Sequence, residues 1–226
     1  MSGDLDSEHF FTLYPRFLET SETGAAIERF DGRYKALIQA NRDLIKDATI
    51  LDLASHDGRW SFAALQNGAA RVVGIEQRPG LVRKCLENME FYGVPREKYD
   101  FILGDIYECV DDVEPCDVVF CFGIFYHVTE HMLLLSKIAR LKPRVLIMDT
   151  HISLLEGKVI EWGYEAMGGK KLVGEPSKAG LEVMLESFGW TFEYFDWQAS
   201  GLINTGPMTD YRKGQRVTAV VNCRPE

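Results

Sequence analysis

A chain of 226 residues, 46% of them apolar, is long enough for one α/β domain with a substantial core and is not the composition of a disordered protein. A formal net charge of −9 argues against the broad basic stripe that grips nucleic acid; the clusters Lys170-Lys171 and Arg212-Lys213 with Arg216 are the candidates for a local basic patch and read as solvated loop charges rather than phosphate contacts. Five cysteines, an odd number with no C-x-x-C pair, indicate neither a disulfide framework nor a zinc knuckle and fit a reducing, cytoplasmic setting.

In chain order, the opening "MSGDLDSEHFF" lacks a basic region followed by an apolar run and is not read as a signal peptide. No apolar stretch reaches the roughly 18 residues of a membrane span, so no membrane partner is expected. The whole chain, 1–226, is expected to form one domain, with residues 1–33 as an N-terminal cap segment and Arg33 and Tyr34 closing one side of the site. A helix is expected over about Tyr34–Lys46. Strands follow at Ile50–Leu53, Val72–Ile75, Phe101–Leu103, Val118–Phe122, Val145–Met148, Phe192–Phe195 and Val217–Val221, most of them short apolar runs suited to burial on both faces. Between them, Pro79 opens a helix with Leu81, Val82, Cys85, Leu86 and Met89 on one face, and Gly93 stops it. Thr129 is the expected N-cap of a helix over Glu130–Leu141, and Ser177 that of a helix ended by Gly189.

Strands separated by helices read as right-handed crossovers, giving an α/β, Rossmann-like, mostly parallel sheet of seven strands with helices on both faces. The last two strands have no helix between them and are expected to form an antiparallel C-terminal pair. Residues 151–176 and 196–216 are expected as long, substrate-enclosing loops, since loops beyond about 12–15 residues are uncommon unless functional. Their aromatic and polar residues, Trp162, Tyr164, Trp197, Tyr211, Asn204 and Thr205, would suit a sugar or another hydroxylated ring, although such aromatics also serve to pin loops to a core.

In such a sheet, ligands sit beyond the carboxyl ends of the strands. Asp52, Glu76, Asp105 and Asp149 end four of the strands, and His127 lies just past another. Glu76 is placed to accept both hydroxyls of a ribose, because a carboxylate offers four lone-pair sites. Asp105, followed by Ile106, is placed to accept from an adenine amino group. The turn after the first strand, "ASHDG", lacks the first two glycines of the G-x-G-x-x-G pattern of a dinucleotide site, at Ala54 and His56, and Asp57 would sit beside the phosphates. A ligand carrying a carboxylate, an ammonium and a sulfonium tolerates such acids.

"ILDLASHDGRWS", "VVGIEQRP", "FILGDI" and "DVVFCFGIFYHV" resemble the successive cofactor motifs of the class I S-adenosylmethionine-dependent methyltransferases, over roughly residues 48–150. The resemblance implies that Asp52, Ala54, Ser55 and Gly58 surround the methionine part of the cofactor. Glu76 would hold the ribose, Gln77, Asp105 and Ile106 the adenine, and Phe122 and Gly123 would lie beneath it near the sulfonium. Ala54 and His56 depart from the glycines of the family's first motif. His56 would then either point away from the cofactor or contact its carboxylate.

The "FYHV" segment resembles the part of small-molecule methyltransferases that faces the acceptor. His127 is the candidate general base for O-methylation of a small hydroxylated acceptor such as a sugar or natural-product intermediate, with packing against the cofactor as its other reading. His131 and His151 are further acceptor-side candidates. Some sugar and catechol members hold the acceptor with Mg²⁺ through strand-end acids, which makes Asp149, with Glu130, a candidate metal ligand and Asp149 a candidate catalytic group. Competing readings are a tRNA wobble-uridine methyl or carboxymethyl transferase, an NAD-dependent oxidoreductase and a non-catalytic cofactor-binding protein. Nucleic acid is disfavoured as a partner by the acidic charge, and nothing in the sequence sets an oligomeric state.

Overall fold

All the strands read from the sequence form, with ends shifted by a few residues. In the computed structural model, which describes residues 9–24, 26–164 and 171–224, β1 (Thr49–Leu53), β2 (Arg71–Glu76), β3 (Tyr99–Leu103), β4 (Val118–Phe122) and β5 (Val145–His151) pair in parallel. Two further strands, β6 (Ile160–Tyr164) and β7 (Leu172–Pro176), make a separate antiparallel hairpin, while β8 (Thr191–Tyr194) and β9 (Arg216–Asn222) complete the main sheet. The seven-stranded order is β3-β2-β1-β4-β5-β9-β8, with β9 antiparallel to both neighbours. This is the expected α/β, Rossmann-like sheet. Its order reverses between β1 and β4, so a crevice opens beyond their carboxyl ends.

The helices in chain order are α1 (Phe10–Leu13), α2 (Arg16–Thr20), α3 (Ile27–Leu37), α4 (Arg42–Ile45), α5 (Arg59–Gln66), α6 (Pro79–Phe91), α7 (Ile106–Cys109), α8 (His131–Arg140), α9 (Lys178–Glu186) and α10 (Thr209–Arg212). Among the described residues, none is long and apolar enough to cross a membrane. Successive strand residues point to opposite faces, so an unbroken apolar run feeds two cores. Ile50, Phe120 and Ile147 join the core under α1, α3, α5 and α6, while their neighbours Leu51, Val119, Cys121, Leu146 and Met148 join the core under α8 and α9.

Several local expectations need correction. The helix placed at Tyr34–Lys46 starts earlier, at Ile27, because Phe30, Tyr34 and Leu37 at i, i+4 and i+7 bury one stripe; it ends at Leu37 and gives way to a 3₁₀ turn and α4. α8 begins at His131 after a 3₁₀ turn at Phe125–His127, so Thr129 does not cap it, whereas Ser177 caps α9 by accepting from Gly180 N–H at 3.0 Å. Residues 160–164 and 172–176 of the expected loop 151–176 pair as β6 and β7. The described part of the N-terminal cap segment also contributes core: Phe10, Phe11 and Phe17 are fully buried, and Phe10 stacks on Tyr34 at 4.1 Å between ring centroids. Lys170, of the basic pair considered above, lies outside the described residues.

Candidate cofactor and acceptor site

The turn after β1 is built from left-handed backbone. Ala54 (φ 54°), His56 (φ 56°) and Gly58 (φ 80°) alternate with residues in ordinary conformations, and only the last is a glycine. A side chain in this region crowds its own carbonyl. Ser55 N–H donates to the Ile75 carbonyl (3.0 Å) and Gly58 N–H to Ser55 (2.9 Å), which holds the turn against β2. Ala54→Gly relieves one strained position and is expected to raise the unfolding free energy by about 1 kcal/mol, read from the urea midpoint. No gain would mean that the turn carries no strain at Ala54.

Asp57 and Arg59 are both buried in this turn and pair at 2.7 Å. Burial alone would raise the Asp57 carboxyl, but Arg59 and His56 beside it outweigh this and hold it at about 2. Arg59 Nη2 also donates to Ser21 Oγ (3.0 Å) and to His56 Nδ1 (2.7 Å), while Thr20 Oγ1 donates to Asp57 (2.8 Å). The N-terminal segment is thereby clasped to the turn.

Asp52 is 1% exposed and accepts from Ser61 Oγ at 2.6 Å, in the first turn of α5. Desolvation pushes its carboxyl up to about 7, with Glu76 and Asp57 adding to the rise against the Ser61 hydrogen bonds. Between its ordinary value of 3.8 and about 7 the folded chain holds a proton that the unfolded chain has lost, so stability falls as pH rises through this window. For the ligand-free protein the expected slope is about 1.4 kcal/mol per pH unit, and Asp52→Asn is expected to flatten it. Denaturant titrations from pH 4.5 to 7.5 give the answer; parallel slopes for both proteins would contradict it.

Glu76 is 2% exposed at the end of β2. Its Oε2 accepts from His56 N–H (3.1 Å), and its Oε1 accepts from the backbone N–H and the Nε of Arg78 (both 3.0 Å). One lone pair of Oε2 is left, and the Arg78 side chain, 49% exposed, is able to swing clear of Oε1. The carboxylate can therefore receive two further hydroxyl donors. Asp105 is exposed and caps α7 through Tyr107 N–H (2.7 Å), Ile106 is buried against β2, and Gln77 is exposed beyond Glu76. Phe122 is buried at the end of β4; Gly123 (φ 78°) donates to the Asp149 carbonyl at 2.7 Å, and a Cβ added there would meet open space.

Asp149 does not end its strand. β5 continues to His151 because β9 pairs alongside it, so Asp149 lies opposite Thr218 inside the sheet, fully buried. Oδ1 accepts from Arg33 (2.9 Å) and Arg216 (2.8 Å), and Oδ2 from Tyr211 OH and Thr218 Oγ1 (both 2.8 Å). Burial would raise this carboxyl, but the two guanidiniums and two hydroxyls hold it below its ordinary value. All four acceptor sites are taken by protein donors, two of them cationic. A magnesium ligand needs a free lone pair and an acidic surrounding. Asp149 therefore does not fit Mg²⁺ or proton transfer, and Glu130 is exposed on the segment before α8. Among the described residues, no cluster of three metal-ligating side chains forms.

The other acceptor-side candidates separate by burial. Tyr211 and Trp197 are core residues, packed at 4.0 Å between centroids with their polar atoms bonded to Asp149 and Thr218, so they pin the 196–216 connection. Asn204 is exposed and bonds Gly201. His131 is buried and lies 3.0 Å from the Gly174 carbonyl; desolvation lowers its pKa, and it shares no helix face with His127. Trp162 and Tyr164 are exposed on β6, alternating with Glu161 and so on the opposite face of the hairpin from it.

That other face matters more. Glu161 and Glu175 stand directly opposite each other across the hairpin and, with His151, Ser153 and Gln215, line a cleft of about 390 Å³ at the carboxyl end of β5. Ser153 Oγ donates to Glu161, and the Glu175 carboxyl is raised by burial and by the Glu161 charge. His151 is lowered to about 4, by burial first and then by Arg216. It is neutral at pH 7. His127, half-buried, packs on Tyr126 at 4.0 Å, and Tyr126 packs on His151 at 4.8 Å. This aromatic row leads from the end of β4 to the cleft. Arg216, read with Arg212 and Lys213 as a solvated loop charge, is instead buried and paired with Asp149 and Asp210, and Asp210 also pairs with Arg29 at 2.7 Å; these pairings and the hairpin carboxylates gave no local motif in the sequence.

The parallel sheet has its crevice at the β1/β4 reversal, with a buried acid at the end of β2 and the acidic cleft at the far side, after β5. A family model described as a methyltransferase domain matches residues 50–143. Those residues are thus similar to the class I S-adenosylmethionine-dependent methyltransferases, and the sheet has the Rossmann-like order of that fold. It is 24% identical over 116 residues to the ribosomal RNA large subunit methyltransferase I of Enterobacter sp. (strain 638), covering 50% of this chain and 28% of that one. It is 30% identical over 102 residues to the tRNA U34 carboxymethyltransferase of Helicobacter pylori (strain HPAG1), covering 43% of this chain and 38% of that one. The chain thus spans well under half the length of these curated relatives. Among solved structures, the N-terminal domain of EvdMO1 in the presence of SAH and D-fucose is similar in fold, with a TM-score of 0.64 and 21% identity over 88% of this chain and 83% of that one.

Proposed function

We propose that the chain binds S-adenosylmethionine at the carboxyl ends of β1, β2 and β4 and methylates a hydroxyl of a small polar acceptor held in the cleft beside β5. The cofactor supplies an electrophilic methyl on a sulfonium. The buried acids Asp52 and Glu76 suit its cationic amino-acid and sulfonium groups, as they would not suit a pyrophosphate. Glu76 receives the ribose hydroxyls; Gln77, Asp105 and Ile106 surround the adenine; Ala54, Ser55 and Gly58 border the methionine part; Phe122 and Gly123 lie below the reacting centre.

One observation carries the acceptor class: the cleft is walled by the opposed carboxylates Glu161 and Glu175. Carboxylates accept from hydroxyl groups and repel phosphates, so a sugar-like polyol fits and an RNA backbone does not. The fold neighbour crystallised with SAH and D-fucose makes a sugar the first acceptor to test. With the cofactor held there, His127 would take the hydroxyl proton of the acceptor that receives the methyl group. The enclosing residues supply alignment for this in-line displacement.

Methyl-labelled cofactor incubated with a panel of sugars and, separately, with tRNA and ribosomal RNA tests this. Label is expected in a small hydroxylated acceptor, and His127→Ala is expected to lower turnover by about 10²–10⁴-fold. Label in RNA alone would overturn the acceptor class. Near-normal turnover of the variant would overturn the role of His127.

A further inference from the structure

Two buried N–H groups beside the β1 turn have no acceptor among the described residues: Nε2 of His56 and Nε of Arg33. The His56 tautomer follows from its partner. Two groups face His56 Nδ1: Asp57 Oδ1 at 3.3 Å and Arg59 Nη2, which only donates, at 2.7 Å; the nearer contact requires Nδ1 to accept, which puts the ring proton on Nε2. His56 thus combines two unfavourable features, a left-handed backbone where glycine would be unstrained and a buried donor left open. Such features persist together where a ligand completes the arrangement.

Arg33 reaches the same region from α3. One of its nitrogens, Nη2, is bonded to Asp149, and its guanidinium lies over the ring of Trp60 at 5.1 Å. Trp60 follows Arg59, the residue that touches His56, and Arg33 is close enough for its charge to lower the Arg59 pKa. Both open donors therefore flank the start of α5, whose aligned peptide dipoles favour an anion. Asp57 already neutralises Arg59, while Asp149 is shared between Arg33 and Arg216, which leaves Arg33 with uncompensated positive character.

We propose that His56 Nε2–H and Arg33 Nε–H hold the α-carboxylate of the cofactor's methionine moiety. The assignment rests on the cofactor reading above and gives the departure from glycine at His56 a purpose. The carboxylate is gripped at the α5 end, the ammonium and sulfonium face the acids of the turn and of β2, and the amino-acid arm is fixed while the methyl is presented above Phe122 and Gly123. His56 and Arg33 act here as binding and positioning residues.

Calorimetric titration with two ligands isolates the carboxylate. S-adenosylhomocysteine carries it; 5′-methylthioadenosine keeps the nucleoside and thioether but lacks the carboxylate and ammonium. His56→Phe keeps a ring without the N–H, and Arg33→Lys keeps a cation for Asp149 without the second donor edge. Each variant is expected to bind S-adenosylhomocysteine about 10–100-fold more weakly and methylthioadenosine within about twofold of the unaltered protein. Thermal unfolding of both variants shows that they are folded. Equal losses for the two ligands, or no loss for S-adenosylhomocysteine, would overturn the assignment. If the unaltered protein bound neither ligand, the cofactor reading itself would fall, and this assignment with it.

Discussion

Asp149→Ala is expected to lower the unfolding free energy by about 3–5 kcal/mol, measured from the urea midpoint near pH 7. The carboxylate is 0% exposed and is the common acceptor for Arg33 from α3, Arg216 and Thr218 from β9 and Tyr211 from α10. Removing it strands two guanidiniums in the interior, and among the described residues only Arg216 keeps another carboxylate, that of Asp210 at 3.0 Å. An isolated buried cation is far more costly than the pair it came from. Asp149→Asn keeps an acceptor but no charge and is expected to fall between. The sign with pH follows from the lowered carboxyl: its stabilisation is present above the unfolded value and is lost as pH falls through the folded one, in strongly acidic solution. A metal ligand at this position would behave otherwise, losing metal-dependent activity with little change in the stability of the metal-free chain.

Glu76→Ala is expected to weaken S-adenosylhomocysteine binding by at least about 100-fold, the loss of two charge-assisted hydrogen bonds to a ribose. The same change leaves the N–H groups of His56 and Arg78 without their acceptor, so a modest loss of thermal stability is expected alongside it. Glu76→Gln separates the two effects. The amide oxygen still accepts from the turn while one of the two hydroxyl partners is lost, which is expected to give an intermediate affinity at near-normal stability. Undiminished binding by Glu76→Ala would place the ribose elsewhere.

The sheet was legible because its signal is local. Runs such as Val118–Phe122 need two apolar faces, and both were supplied. The acid at the end of β2 and the turn after β1 were legible for the same reason: each is a short stretch whose neighbours in sequence are its neighbours in space. Asp149 shows where this stops. Its partners Arg33 and Arg216 lie 116 and 67 residues away, so a strand-end acid and the centre of a buried ion network look alike in sequence. Tyr211 and Trp197 misled in the same way, since aromatic residues in a Gly-rich connection suggest a ligand surface until the hydroxyl is seen to bond Asp149. The hairpin β6–β7 escaped notice because its strands are short, carry Gly163 and Gly174, and place glutamates opposite each other, a pairing that local strand preference disfavours. That same unfavourable pair marks the cleft. At His56 the departure from the family pattern was visible in the sequence, but the open N–H was not.

The most direct measurement is a calorimetric titration of the unaltered protein with S-adenosylhomocysteine, with NAD⁺ run in parallel. Saturable binding of the thioether and no binding of NAD⁺ is the expected result, because the β1 turn presents buried acids and no pyrophosphate cradle. Binding of NAD⁺ without the thioether would contradict the assignment of the crevice beyond β1 and β2, and methyl transfer as the chemistry of the cleft would fall with it.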